Sequence, residues 1–284
     1  MPAPATVKKM FLVVDDDPGM RGLLVRLLKT DEAEITTCES GGEAIRNLQT
    51  HSFDVVLQDV GLPDMSGLDV LKAFAAKSPA TRFLMITADD TPDTLIEAVR
   101  GRACGYLRKP FTPEQLRDAV DDCLSATDQP DIEVVSARPD WFELSLPCTR
   151  AAASRIDNFM QQFKLELPEE VRDTVAQAFR ELLMNAVEWG GGLDPSRRVR
   201  VACLRTQRML LYRIADPGPG FDLEDLQHAA IGQPDGDPMA HMAVREQKGI
   251  RPGGLGLMIV KAFADELLYN EQRNEVVFVK YLTA

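Results

Sequence analysis

The 284-residue sequence predicts an α/β protein of two domains. Length sets the domain count, since a compact domain rarely exceeds about 150–200 residues before chains divide. The first half alternates strand and helix patterns five times, which calls for a doubly wound parallel sheet. The second half runs differently, with two long amphipathic helices, a pair of strands, a glycine-rich segment, a helix and two closing strands. Boundaries are expected at 1–124 for the first domain, 125–139 for a linker and 140–284 for the second domain.

Composition is ordinary for a protein with real cores, 45% hydrophobic and 27% charged. The net charge of −12 is shared evenly. Residues 1–124 carry 14 Lys and Arg against 20 Asp and Glu, and residues 125–284 carry 18 against 24, so each part contributes −6. Without a basic patch or arm, nucleic acid is not expected as a main partner. Cys38, Cys104, Cys123, Cys148 and Cys203 are odd in number and scattered, with no CxxC pair. They are expected to be reduced core thiols rather than a disulfide framework or zinc site. Residues 1–9 show no apolar leader and no stretch is long enough to cross a bilayer, so a cytoplasmic protein without a membrane partner is expected.

In the first half the strands are expected at Phe11–Val14, Ile35–Cys38, the apolar run around Val55-Val56-Leu57, Phe83–Ile86 and Gly105–Leu107. Helices should lie at about Pro18–Lys29, Gly41–Gln49, Leu68–Ala76, Thr91–Arg100 and Pro113–Leu124. Ser40 and Thr112 suit N-caps, and Pro113 suits a first helical position. Polar residues stand where each strand ends: Asp15, Asp16 and Asp17 after the first, Asp59 after the third, Thr87 after the fourth and Lys109 after the fifth. In a parallel sheet these ends share one face, where open α/β folds carry their chemistry. Carboxylates gathered there repel unless a hard cation neutralises them, so Mg²⁺ is the expected occupant. Lys109 and Thr87 suit phosphoryl oxygens. A surface loop and a helix cap could account for any one of these residues alone, but not for all of them at consistent strand ends.

This constellation, with Tyr106 and the Lys109-Pro110 pair, resembles a response-regulator receiver domain of flavodoxin-like topology over about residues 8–125. The resemblance implies that Asp59 is the phosphoacceptor and that Asp15 and Asp16, together with Asp59, hold Mg²⁺. It further implies that Thr87 and Lys109 contact the phosphoryl group and that Tyr106 is the rotameric switch. An upstream sensor histidine kinase would be the phosphodonor.

Ser125 to Pro139 contains two prolines and several polar residues and reads as linker. Trp141–Pro147 alternates like an edge strand closed by proline. Helix Arg150–Phe163 presents Ile156, Phe159, Met160 and Phe163 on one stripe. The next helix, about Pro168 to Trp189, presents Val171, Val175, Ala178, Phe179 and Leu182. Glu181 and Asn185 lie four apart on it and so project side by side. Strands Arg198–Arg205 and Met209–Ala215 follow, and the second ends in Asp216-Pro217-Gly218-Pro219-Gly220. A carboxylate at that place can accept from the exocyclic amine of a purine, and the glycines allow close backbone approach. Phe221 to Pro252 is weakly patterned and reads as a lid. Gly253-Gly254-Leu255-Gly256 then opens a helix to about Ala264, offering free N–H groups to phosphates. Strands Glu266–Glu271 and Glu275–Leu282 close the chain.

ExxxN, DxGxG, a lid and GGLGL in this order resemble the nucleotide site of the GHKL ATPases. The resemblance implies a Bergerat-type α/β sandwich with a mostly antiparallel sheet, binding ATP with Mg²⁺. Within that group, Asn185-Ala186-Val187-Glu188-Trp189-Gly190 and the short domain look most like the serine-kinase anti-sigma factors. By the same resemblance Asn185 coordinates Mg²⁺, Asp216 holds adenine, and Gly218 and Gly220 line the base. Gly253, Gly254 and Gly256 embrace the triphosphate, and Glu181 is the catalytic base. Lys248 and Arg251 have no aligned role, and His228, Met239, His241 and Met242 are expected on the lid surface.

The expected function is a two-component response regulator whose output domain is an ATP-dependent serine/threonine kinase acting on an anti-sigma-factor antagonist, with a sigma factor as a further partner. The alternative is a catalytically silent, ATP-gated module that sequesters a sigma factor or antagonist. An atypical histidine kinase is disfavoured, since His51, His228 and His241 are the only histidines and none lies on a dimerisation helix before the ATP site. A homodimer through either domain is compatible with the sequence.

Overall fold

The computed structural model describes residues 8–75, 77–78, 80–88, 91–125, 132–138, 140–162, 169–221 and 256–282. The chain divides into two compact units, residues 1–129 and 130–284.

The first unit contains β1 (Lys9–Val14), α1 (Pro18–Leu28), β2 (Ala33–Cys38), α2 (Gly41–Thr50), β3 (Val55–Asp59) and α3 (Gly67–Phe74). It continues with β4 (Arg82–Thr87), α4 (Pro92–Arg100), β5 (Gly105–Arg108) and α5 (Pro113–Ser125). All five strands are parallel, in the order β2-β1-β3-β4-β5. The inner strands β1, β3 and β4 carry continuous runs of buried apolar residues because helices cover both faces. One core layer joins Val13, Leu57, Leu84 and Ile86 to Leu116 and Val120 of α5. Helix starts follow local chemistry. Ser40 Oγ accepts from Glu43 N (3.3 Å), while Thr112 Oγ1 accepts from Gln115 N (3.3 Å) and Gln115 Oε1 answers by accepting from Thr112 N (2.8 Å), a reciprocal cap.

The second unit contains β6 (Glu133–Arg138), β7 (Trp141–Pro147), α6 (Arg150–Gln162) and α7 (Glu169–Asn185). A π turn over Ala186–Gly190 leads to β8 (Arg198–Arg205), β9 (Met209–Ala215), α8 (Gly256–Phe263), β10 (Glu266–Tyr269) and β11 (Glu275–Tyr281). The sheet order is β10-β11-β9-β8-β7-β6, and every described strand pair is antiparallel. Val201, Cys203, Tyr212, Ile214 and Phe278 point to the face packed by the helices, where Phe179 of α7 stacks on Tyr212 with ring centroids 4.8 Å apart. Ile156 and Phe159 of α6 and Val175, Ala178 and Leu182 of α7 are buried as their 3.6-residue spacing predicts.

Three expectations are corrected. Cys104 and Cys123 form a disulfide with Cα atoms 5.4 Å apart, whereas Cys38, Cys148 and Cys203 are free and buried. Close sequence spacing is a poor guide here, because α5 packs back on β5 and brings together residues 19 apart. The stretch read as linker includes β6, which pairs with β7 from Arg138–Trp141 to Glu133–Ser145. Its single apolar pair concealed a strand because a sheet edge needs few buried side chains. β7 is accordingly not an edge strand but lies between β6 and β8, and Pro147 is accommodated as its last residue.

Candidate functional site

The parallel sheet of the first unit delivers Asp15 from β1 and Asp59 from β3 to the same end, and both are buried. Carboxylate oxygens of Asp15, Asp16 and Asp59 lie within 4.8 Å of one another, the only such cluster of acidic, His or Cys groups among the described residues. Lys109, on the loop after β5, reaches across the strand ends. Its Nζ lies 2.6 Å from Asp15 Oδ2 and 3.2 Å from Asp59 Oδ1. Burial and the neighbouring Asp15 push the Asp59 carboxyl above its ordinary range, against the pull of Lys109. Burial would lower Lys109, but the contacts to Asp15 and Asp59 overcome it and its pKa is raised. One ammonium thus stands against three carboxylates. That imbalance, with an all-oxygen donor set, fits a small divalent cation such as Mg²⁺, held by Asp15, Asp16 and Asp59.

The surrounding loops are fixed by main-chain contacts. Asp15 Oδ1 accepts from Asp17 N (3.0 Å), and Asp17, rather than joining the cluster, caps α1 through Gly19 N (2.8 Å). Arg21 Nη1 donates to the carbonyls of Asp15 (2.6 Å) and Asp16 (2.9 Å), clamping the loop that presents both. Beyond Asp59, Gly67 passes so close that a Cβ there would lie 1.9 Å from the Asp59 carbonyl. Asp64 in the intervening loop accepts from Gly41 N (2.9 Å) and Gly42 N (2.8 Å) at the start of α2, which lowers its pKa. Arg21 and Asp64 escaped the sequence reading. Two adjacent glycines at a helix start, with their N–H groups unclaimed, were the available signal for Asp64. Thr87 and Tyr106 are both buried, Thr87 as the last residue of β4 and Tyr106 near the start of β5, opposite Met85. Thr87 follows Ile86, the register partner of Asp59, and its carbonyl accepts from Lys109 N (2.8 Å).

In the second unit Glu181 and Asn185 occupy the last turns of α7, both half-buried, and the helix widens immediately after Asn185. Gly191 N donates to Ala186 O (2.7 Å), five residues back, which carries the chain end toward β9. There Gly190 touches Asp216: a Cβ on Gly190 would lie 2.1 Å from the carboxyl carbon. Asp216 Oδ1 accepts from Gly218 N (2.8 Å), and burial raises its pKa despite that bond and the charge of Arg197. Gly218 faces Gly190 O at 2.7 Å from its would-be Cβ, and Gly220, at φ +82°, packs on the Gln272 carbonyl. Asp216, Gly218 and Gly190 therefore form one close-packed cluster, with Gly190 missed as a member by the sequence reading. Gly256 opens α8, which packs on α7. Gly253, Gly254, Lys248, Arg251, His228, Met239, His241 and Met242 lie outside the described residues, as does Phe163. Among the described residues no helix is long and apolar enough to cross a membrane.

Two families match the chain. The response regulator receiver domain covers residues 11–121, and the histidine kinase-like ATPase domain covers residues 145–280. Among curated proteins, the transcriptional regulatory protein ZraR of Salmonella typhimurium is 33% identical over 132 residues, 46% of this chain and 30% of that protein. The probable transcriptional regulatory protein TcrX of Mycobacterium tuberculosis is 37% identical over 105 residues, 37% of this chain and 45% of that protein. The chain thus spans less than half the length of these relatives. Among solved structures, the chemotaxis protein CheY4 of Vibrio cholerae is 33% identical and covers 41% of this chain and 99% of its own, with a TM-score of 0.39. Along one polypeptide the chain thus carries a response regulator receiver domain followed by a histidine kinase-like ATPase domain.

Proposed function

We propose that phosphorylation of Asp59 controls an output domain that binds ATP and transfers its γ-phosphoryl group to a serine or threonine of an anti-sigma-factor antagonist. The observation that carries the first half is Lys109 Nζ standing between Asp15 and Asp59, 2.6 and 3.2 Å away. In the proposed step an Asp59 oxygen attacks the phosphorus of a phosphohistidine donor on a sensor kinase. The Asp59 O–P bond forms as the donor N–P bond breaks, and Lys109 and Thr87 receive the displaced charge on the phosphoryl oxygens. A bound Mg²⁺ would supply the neutralisation that one ammonium cannot give three carboxylates.

For the output unit, Asp216 accepts from the adenine amine while Gly218 and Gly220 let the backbone approach the ring. Asn185 takes the Mg²⁺ that accompanies ATP, and Gly253, Gly254 and Gly256 receive the phosphates. Glu181, one turn before Asn185, takes the proton of the attacking hydroxyl, where a positioned base contributes about 10²–10⁴-fold. A binding module with no chemistry has no use for such a base, which favours the kinase reading over silent sequestration.

The test is transfer from labelled ATP to candidate antagonists by the full chain, its Asp59→Ala and its Glu181→Gln variants, each with and without acetyl phosphate. Kinase action requires serine or threonine labelling that Glu181→Gln removes while ATP affinity persists. Control by the receiver requires a donor effect that Asp59→Ala removes. ATP binding without transfer to any antagonist, accompanied by stable capture of the antagonist or a sigma factor, would establish the silent module instead.

A further inference from the structure

The carboxylate of Asp216 can discriminate an adenine amine only if it keeps one direction and its negative charge, and burial works against the second requirement. Asp216 N donates to Asn274 O (2.8 Å) and Asn274 Nδ2 donates to Gly218 O (3.1 Å), so one flank of the Asp216–Gly218 loop is tied to the β10–β11 turn. The other flank is held by Arg197.

Arg197 ends the loop between the π turn and β8, and that loop is shaped to aim it. Asp194 Oδ1 accepts from Ser196 N (2.8 Å) and Ser196 Oγ (2.7 Å), and Arg197 N donates to Asp194 O (3.1 Å). The guanidinium then donates through Nη2 to Pro217 O and through Nη1 to Gly191 O (3.4 Å). It therefore joins the two backbone segments that meet at Asp216, the end of the π turn and the loop after β9. A guanidinium can span two carbonyls in this way because its donors diverge from a rigid plane, which a lysine ammonium cannot reproduce.

We propose that Arg197 is a positioning residue for nucleotide binding, locking the Asp216–Gly218 loop to the π turn and holding the carboxylate as a charged acceptor for the base. This inference rests on the assignment of Asp216 to adenine. Among the described residues the charged and titratable groups facing Asp216 are few. Arg197 draws its pKa down, the Gly218 N–H does the same, and the Cys148 thiol, itself raised by burial, stays neutral through the acidic and neutral range. Acid-range changes in binding that depend on Arg197 therefore report on Asp216.

The experiment measures ADP affinity of the full chain by calorimetry from pH 5 to 8 for wild type, Arg197→Ala, Arg197→Lys and Asp216→Asn. Each variant is read as a ratio to wild type at the same pH, so that titration of the ADP phosphates cancels. Arg197→Ala is expected to weaken binding about tenfold or more at pH 7.5, the worth of a hydrogen bond to a charged group. The deficit should widen as pH falls, because Asp216 without the guanidinium protonates at higher pH. Arg197→Lys should retain the wild-type pH profile while losing part of the affinity, which also shows that the site remains folded. A deficit of Arg197→Ala that is constant across pH, or no deficit at all, overturns the proposal. If Asp216→Asn binds ADP as wild type does, the adenine assignment itself fails, whatever Arg197 does.

Discussion

Each unit places an aspartate at the end of a strand, Asp59 buried and Asp216 half-buried, and the two solve the resulting charge problem in opposite ways. Asp59 sits among other carboxylates, because parallel strands bring all their C-terminal ends to one edge, and it leans on Lys109. Asp216 follows a strand of an antiparallel sheet whose neighbours run the other way, and among the described residues the charge acting on its carboxyl is that of Arg197. Its partners are a backbone N–H of Gly218 and glycine Cα surfaces, with Arg197 at one remove. The first arrangement has an excess of negative charge suited to cations and phosphoryl transfer. The second offers one directional acceptor in a close-packed cluster with glycines, suited to a base. Burial raises both carboxyl groups, so what separates their chemistry is the company each keeps.

The largest effects should separate the units cleanly. Asp59→Asn is expected to abolish phosphoryl uptake from acetyl phosphate with Mg²⁺, read by phosphate-affinity electrophoresis. Persistent uptake at another aspartate would undo the assignment. Lys109→Ala leaves Asp15 and Asp59 facing each other without their shared cation, and it should slow uptake far more than it changes Mg²⁺ affinity.

Next in size is Asp216→Ala, which on the proposed reading leaves the base amine without its acceptor. It should cost about 1–3 kcal/mol, or roughly 5- to 150-fold in ATP affinity by calorimetry, with phosphoryl uptake at Asp59 unchanged. Equal affinity in wild type and variant would remove the contrast between the two carboxylates.

The glycines sharpen the comparison further. A methyl at Gly67 meets the backbone carbonyl of Asp59, which cannot turn away, so Gly67→Ala should lower stability by about 2–3 kcal/mol in urea unfolding. A methyl at Gly190 meets the Asp216 carboxyl carbon at 2.1 Å and its Cβ at 2.5 Å, and rotation of the side chain clears only the first. Gly190→Ala should therefore weaken nucleotide binding as well as stability.

The smallest effect concerns pH. The raised pKa of Asp216 means that its contribution to stability is present below the ordinary carboxylate range and is lost as pH rises through the raised value. At neutral pH without nucleotide, Asp216→Asn should thus unfold at slightly higher temperature than wild type, even though it binds ATP worse. That gain should vanish toward pH 4. A loss of stability at neutral pH would mean that the Gly218 and Arg197 contacts outweigh burial.

Local pattern was enough to order the elements of both units. Apolar runs of four or five residues set the strands, 3.6-residue spacing set α6 and α7, and Ser40, Thr112 and Pro113 marked helix starts. Because consecutive parallel strands must end on one edge, the gathering of Asp15, Asp16, Asp59 and Lys109 followed from strand order alone. The sequence likewise placed Glu181 beside Asn185 and put Asp216 at a strand end.

Tertiary structure decided what depends on distance across the fold. Lys109 reaches Asp15 over 94 positions, Asp64 caps a helix 22 and 23 positions away, and Cys104 finds Cys123 through the return of α5. The membership of β6 in a sheet was hidden because an edge strand with one covered face carries little apolar signal. The π turn that sets Gly190 against Asp216, and the reach of Arg197 to Gly191 and Pro217, have no period to announce them. Periodicity records which way each side chain faces its own element. Which partner waits there is set by how elements pack, and packing is settled by the whole chain at once.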